Sequence, residues 1–92
     1  MTVERRTCTI VNQRGLHARA SAKFVGFVAN LPDDTSVEVV KDGQSAGGGS
    51  ILGLMMLGAA KGDTVEVVVE GNDAAETADA LQAMIDDGFG ED

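Results

Sequence analysis

His17 is the only histidine of the sequence, and it stands where a polar loop gives way to a helical pattern. The first amides of a helix have no carbonyl partners within it, and the positive end of the helix dipole lies there, so this junction favours an anion. The positive end of the helix dipole also favours the neutral form of the His17 imidazole over the charged form, and a neutral imidazole has a nucleophilic nitrogen. Ala18 and Arg19 belong to that first turn, and the Arg19 guanidinium adds a positive charge. The spacing therefore predicts a nucleophile, an anion cradle and a counter-charge within a few residues.

Spacing alone leaves other interpretations of His17 open. A lone histidine near the start of a helix is often a solvated surface residue or a helix cap. A metal site is not expected, because one histidine and one cysteine cannot complete a coordination shell, and no ligand follows His17 at the third or fourth position. We expect no cofactor.

Length, charge and composition limit the kinds of partner. A chain of 92 residues predicts a single domain over 1–92 with one modest core. The formal charge of −8 and the absence of Tyr and Trp argue against nucleic acid and anionic membranes, so proteins and small molecules are the expected partners. No apolar run reaches membrane-spanning length. The sole cysteine, Cys8, lies in an apolar strand, which fits a reducing cytoplasm.

Hydrophobic periodicity and turn residues predict the elements that position His17. Alternating apolar residues and the turn pair Asp42-Gly43 predict four strands, over 3–11, 36–41, 44–46 and 64–70. Apolar residues at helical spacing predict three helices. The first runs from about Ala18 to Asn30, the second from about Ser50 to Gly58, and the third from about Ala75 to Gly88. The order β-α-β-β-α-β-α favours an α+β domain in which an antiparallel or mixed sheet is covered on one face.

The last helix carries two further expectations. Asp73 and Glu76 form a D-x-x-E pattern that predicts a capping box, and Ala75 begins the apolar stripe that continues through later turns of the helix. The tail Gly90-Glu91-Asp92 is expected to fray.

The short helix after Ser50 is apolar on almost every side, from Ile51 to Leu57. Two turns cannot bury all of these side chains against one face of a sheet. Ile51, Leu52 and Met55 are therefore expected to form an exposed patch, with complete burial as the alternative. Ser50 is predicted to be the N-cap of this helix.

Three stretches of the chain match a known family in both content and spacing. They are Gly15-Leu16-His17-Ala18-Arg19, Ser50-Ile51-Leu52-Gly53-Leu54 with Gly58, and Lys61-Gly62-Asp63 before a valine-rich strand. Together they resemble the HPr family, the histidine phosphocarriers of the bacterial phosphoenolpyruvate-dependent phosphotransferase system. The likeness covers nearly the whole chain. It implies an open-faced β-sandwich, a four-stranded antiparallel sheet covered on one side by three helices.

The resemblance also implies roles for individual residues. In such proteins the histidine matching His17 accepts a phosphoryl group on Nδ1 from phosphorylated enzyme I and passes it to a histidine of an enzyme IIA domain, and the arginine matching Arg19 assists. In some relatives a regulatory kinase phosphorylates the serine matching Ser50. The apolar residues after that serine, here Ile51, Leu52 and Met55, help form the docking surface for both partners. Such a protein is a phosphoryl carrier and not an enzyme, and a monomer is expected.

The sequence departs from the family pattern at two places. The family usually has a proline after the arginine, where this chain has Ala20. The change costs preorganisation on the order of 0.4–1 kcal/mol, but alanine favours the helix and we expect it to be tolerated. The glycines Gly47, Gly48 and Gly49 replace the basic residue that many relatives carry before the serine, which leaves recognition of Ser50 by a kinase open.

Two other functions share some of these sequence features. A regulatory, nitrogen-type carrier would deliver the phosphoryl group to signalling partners instead of sugar permeases, and the residues do not distinguish it. Acyl carrier proteins are also small and acidic, with a serine that opens an apolar helix. They are all-helical and have an aspartate before the serine, whereas this chain has Gly49 there and β-branched runs at 36–40 and 64–69.

Overall fold

Four strands and three helices alternate along residues 2–91, which the computed structural model describes. The strands are β1 (Thr2–Thr9), β2 (Ser36–Lys41), β3 (Gln44–Gly47) and β4 (Thr64–Gly71). The helices are α1 (Ala18–Ala29), α2 (Ile51–Met56) and α3 (Ala74–Asp86), and a 3-10 turn over Gly88–Gly90 follows α3. The predicted order of elements is confirmed. None of the helices within these residues has the length and apolar character needed to cross a membrane.

The strands form one antiparallel sheet in the order β1-β4-β2-β3. β4 lies inside the sheet, so that Val67 stands opposite Arg6 of β1 on one side and Val39 of β2 on the other. The hairpin between β2 and β3 turns at Asp42 and Gly43, whose φ angles are 51° and 81°. Positive φ at both positions is what a two-residue type I′ turn requires, so the turn predicted from this pair is confirmed.

The core lies on one face of the sheet. Val65, Val67 and Val69 of β4 are buried, whereas the residues between them are partly exposed. Phe24 of α1 and Leu81 of α3 belong to the same buried cluster. α3 packs on β1 and β4, while α1 packs on α2 and α2 on β3. Helices therefore cover one face and leave the other open, which confirms the expected open-faced sandwich.

The predicted extension of β1 to Val11 is wrong, because the strand ends at Thr9. Beyond it, the Ile10 amide donates to the Asp63 carbonyl at 2.9 Å, and the Ile10 carbonyl accepts from the Gly62 amide at 2.8 Å. The chain there bonds to the turn that precedes β4. This contact ends the strand and starts the loop that leads to His17.

The start of α3 differs from the prediction in two ways. Asp73 has φ −107° and ψ 39°, and its side chain makes no capping hydrogen bond. An N-cap needs an extended backbone to reach the first amides, so the predicted capping box with Glu76 is wrong. Ala75 is exposed, and α3 buries Ala74 and Thr77 instead. Contact with β1 and β4, which spacing does not encode, decides which face of the helix is buried.

Gly15 brings the loop before His17 against the loop before β4. Its φ is 61°, a left-handed conformation that side chains disfavour. A Cβ at this position would lie 2.2 Å from the Ala59 carbonyl oxygen. The close approach lets the Leu16 amide donate to that same oxygen at 3.0 Å. Only glycine satisfies both the backbone angle and the space.

Gly15→Ala is expected to lower the free energy of unfolding by about 2 kcal/mol or more, because it adds a left-handed penalty and a backbone clash. Gly26→Ala is the matched control, since Gly26 lies inside α1 and nothing lies within 4 Å of an added Cβ. That change is expected to stabilise the protein by about 0.5–1 kcal/mol. Urea unfolding of both variants measures the difference. Equal effects of the two changes would contradict the packing at Gly15.

Candidate functional site

His17 occupies the N-cap position of α1, at the loop-to-helix junction predicted for it. Its backbone is extended, with φ −76° and ψ −177°, and its carbonyl accepts the Ser21 amide at 2.9 Å. The ring makes no capping hydrogen bond to the helix, and 16% of the side chain is exposed. The imidazole is therefore mostly buried beside the start of α1, although it makes no hydrogen bond to the helix.

The backbone before His17 is held from three directions. Leu16 is buried, and its amide donates to the Ala59 carbonyl. The Ser21 hydroxyl donates to the Leu16 carbonyl at 3.2 Å. The side-chain amide of Asn12 donates to the Gly15 carbonyl at 2.8 Å. The position of His17 is thus set by contacts to the core and not by the loop alone.

The first turn of α1 provides an electropositive environment. It contains no acidic residue, and amides at the start of a helix have no carbonyl partner one turn earlier. Arg19 is exposed on this turn, and none of the ion pairs formed among residues 2–91 involves it. The Ala18 and Arg19 amides, the helix dipole and the Arg19 guanidinium together favour an anion beside His17.

The structure also places a carboxylate against His17, which the sequence did not suggest. The two carboxylate oxygens of Glu91 lie 2.8 Å and 3.0 Å from Nε2 of His17. The Asn12 side-chain amide donates to Glu91 as well, at 3.1 Å. The prediction that the tail frays is therefore wrong at Glu91, while Asp92 lies outside the described residues. Phe89, a large apolar residue two positions before Glu91, is buried, and this burial is what keeps the segment on the fold.

The surroundings of Glu91 favour its charged form. Partial burial raises the pKa of the carboxyl, but hydrogen bonds from His17 and Asn12 and the charges of His17 and Lys23 outweigh it, so the pKa is lowered overall. Glu91 is therefore an acceptor at neutral pH, and Nε2 of His17 is the nitrogen that donates.

The exposed patch predicted on the short helix is confirmed and is larger than expected. Ile51 is 40% exposed, Leu52 68% and Met55 41%, and Met56, which was not predicted, is 74% exposed. Ser50 caps α2 as predicted, because its hydroxyl accepts the Gly53 amide at 2.9 Å. α2 packs on α1, so this patch and the start of α1 belong to neighbouring elements.

The described residues offer little to a metal ion. No group of three or more His, Cys, Asp or Glu side chains in the part of the chain that the structure covers is arranged to hold one. Cys8 is buried in β1, and burial raises the pKa of its thiol. The first-turn amides, the Arg19 guanidinium and the His17 ring nitrogen are the groups here that can bind an anionic group.

Comparisons with family models, curated proteins and solved structures all indicate the same family. A family model described as "PTS HPr component phosphorylation site" matches residues 4–87. Phosphocarrier protein HPr of Cupriavidus necator is 43% identical over 86 residues, which are 94% of each chain. Phosphocarrier protein NPr of Shewanella violacea is 36% identical over 91 residues, 99% of this chain and 98% of the relative.

A solved structure agrees with the sequence matches. The crystal structure of HPr-C-His from Thermoanaerobacter tengcongensis superposes with a TM-score of 0.88 at 36% identity, covering 97% of this chain and 98% of that one. The matched region of the family model contains His17, Arg19 and Ser50 but ends before Glu91.

The carboxyl of Glu91 is expected to titrate below its ordinary value of about 4.3. Because its pKa is lowered in the folded protein, the contact stabilises the fold fully above about pH 4.3 and loses this effect as the pH falls through the lowered pKa. Carboxyl-carbon NMR of the folded protein measures the midpoint.

His17→Ala removes the hydrogen bond and the charge that lower the pKa of Glu91, so the midpoint is expected to rise in that variant. Glu76, which is exposed on α3, provides an internal reference signal in the same spectra. A midpoint that is the same with and without His17 would contradict the contact.

Proposed function

The chain belongs to the HPr family of phosphocarrier proteins, and on that premise we propose that His17 carries the phosphoryl group. Its Nδ1 accepts the group from phosphorylated enzyme I and passes it to a IIA-type protein or domain of the phosphoenolpyruvate-dependent phosphotransferase system. The observation that carries the proposal is the N-cap position of His17 at an α1 first turn without acidic residues. A phosphoryl group on this ring would meet helix amides and a guanidinium.

Phosphoryl transfer depends mainly on positioning and charge. The lone pair of Nδ1 forms a bond to phosphorus while the bond from phosphorus to the donor atom breaks, and the donor keeps that electron pair. The Ala18 and Arg19 amides and the Arg19 guanidinium offset the charge on the phosphoryl oxygens. Transfer to the acceptor repeats the exchange with Nδ1 as the leaving atom. The carrier is a substrate of the first reaction and, once it has given up the phosphoryl group, a product of the second, so it takes part in the reactions of its partners.

An exposed apolar surface supports docking of both partners on α2. Ile51, Leu52, Met55 and Met56 leave apolar area in water that a partner would remove. Methionine side chains adapt to different surfaces, which suits a carrier that binds a donor and an acceptor in turn. Ser50 stands at the start of this surface and caps the helix. A kinase that phosphorylates it would add about two negative charges there.

The acceptor distinguishes the sugar-type carrier from the regulatory alternative. The likeness to an NPr relative over 99% of this chain is the observation that favours keeping a nitrogen-type acceptor in the test. Both alternatives use the same chemistry at His17. They differ in whether the IIA protein that takes the group belongs to a sugar permease or to a soluble regulator.

Incubation with phosphoenolpyruvate and enzyme I is expected to add one phosphoryl group to the wild type, measured as intact mass. Acid is expected to remove it, as it does from a phosphohistidine. His17→Ala is expected to take up none. It is expected to keep its fold, because the ring, although only 16% exposed, lies outside the hydrophobic core cluster. Label that survives in His17→Ala would overturn the assignment. Labelled carrier is then offered separately to a permease IIA and a soluble IIA to identify the acceptor.

Ser50→Asp is expected to weaken binding to enzyme I about three- to tenfold, because it places a carboxylate at the edge of an apolar docking surface. Ser50→Asn is the matched control, since asparagine and aspartate are both good N-caps and differ in charge. Calorimetric titration of each variant with enzyme I measures the affinity. Equal affinity for the two variants would place Ser50 outside the interface.

A further inference from the structure

The C-terminal segment of the chain returns to His17 and is anchored there. Phe89 is buried, although its φ of 58° is a conformation that side chains disfavour. Such a backbone persists where surrounding contacts hold it. Lys23 of α1 donates to the Phe89 carbonyl, and Asn12 donates to Glu91. The core, α1 and the loop before His17 therefore each hold the segment that carries Glu91.

Asn12 shows how closely this arrangement is defined. It is 1% exposed, and its side-chain nitrogen donates both to the Gly15 carbonyl and to Glu91. Both partners are acceptors, so the amide group can face them in only one orientation. Its oxygen Oδ1 is buried without a hydrogen-bond partner among residues 2–91. The side chain thus gives up one hydrogen bond while it joins the loop before His17 to the C-terminal segment.

The contact distinguishes the two nitrogens of the His17 ring. Both hydrogen bonds that the ring forms with residues 2–91 are at Nε2, from the Glu91 carboxylate. An ionised carboxylate only accepts, so Nε2 must carry the proton. In the neutral ring the other nitrogen, Nδ1, then has the free lone pair.

We propose that Glu91 is a positioning residue, which holds His17 with Nε2 protonated and Nδ1 as the nucleophile. This inference rests on the function proposed for His17. When Nδ1 forms its bond to phosphorus, the ring keeps the Nε2 proton and becomes positively charged, while the donor atom retains the electron pair of the broken bond. The Glu91 carboxylate at 2.8 Å balances that charge without moving a proton. Glu91 therefore favours the phosphorylated ring over the free one.

This role belongs to a part of the chain outside the matched family region. The family model ends at residue 87, and the 3-10 turn and Glu91 follow it. The amides of α1 and Arg19 lie within the match. The Glu91 carboxylate lies at Nε2, the ring nitrogen opposite the proposed reacting one.

Three variants test the proposal. Glu91→Ala removes the contact, and Glu91→Gln keeps an acceptor oxygen while it removes the charge. Asp87→Asn is the matched control for Glu91→Gln. Asp87 is exposed near the same end of α3, and both substitutions remove one negative charge. The first-order rate of phosphorylation at saturating phosphorylated enzyme I is expected to fall on the order of tenfold in Glu91→Ala and less in Glu91→Gln. Asp87→Asn is expected to match the wild type.

A spectroscopic readout separates this role from the function on which it rests. The hydrogen-bonded Nε2 proton is expected to give a downfield NMR signal, protected from exchange, in the unphosphorylated wild type and in Asp87→Asn. It is expected to disappear in Glu91→Ala. Loss of the signal with an unchanged or faster rate would overturn the positioning role and leave the carrier function intact. Absence of the signal from the wild type would overturn it as well. A wild type that takes no phosphoryl group on His17 would instead remove the proposed function.

Discussion

β4 connects every layer of this fold, and the burial of its alternate valines is the interaction on which the other elements depend. Val65, Val67 and Val69 are at most 1% exposed, and each contributes about 1.5–3 kcal/mol by leaving water. β1 and β2 pair with the two edges of β4, and α3 packs across β4 and β1. A strand with polar residues at these positions would leave the helices without a surface to cover.

The site depends on this core through two loops. The turn before β4 bonds to Ile10, and Ala59 accepts the amide of Leu16. Gly15 permits that approach because it has no side chain. His17 is therefore positioned by the same packing that places β4, although it belongs to a different part of the sequence. A carrier has to present its ring to two partners in the same geometry, and a backbone held from the core side meets that need.

The electrostatics of the site combine groups of opposite sign around one ring. The first turn of α1 and Arg19 favour an anion beside His17, and the Glu91 carboxylate accepts a hydrogen bond at Nε2. A carrier has to release its group as readily as it receives it. The anion cradle is correspondingly modest, formed by a helix end and one exposed arginine instead of a deep pocket.

Local patterns in the sequence determined most of the fold and the place of His17. Strand alternation, the Asp42-Gly43 turn, the Ser50 cap and the exposed residues of α2 follow from contacts between neighbours in the chain, and each is present in the structure. The roles of His17, Arg19 and Ser50 in phosphoryl transfer and its regulation were implied by the resemblance to the HPr family and remain predictions. The predicted apolar stripe of α3 is confirmed at Ala78 and Leu81, which are buried, but is wrong at Ala75. Packing of α3 on β1 and β4 determines which of its faces is buried.

Only the tertiary structure decided that the C-terminal segment reaches the site. Glu91 and His17 are 74 positions apart in the sequence, and no periodicity or turn signal relates residues at that separation. Their contact depends on where Phe89 enters the core and on where Lys23 and Asn12 stand once α1 and its loop are packed. The sequence alone therefore determined which residue is the nucleophile candidate. The packed structure decided which of its two nitrogens faces a carboxylate, because that depends on side-chain positions that exist only after folding.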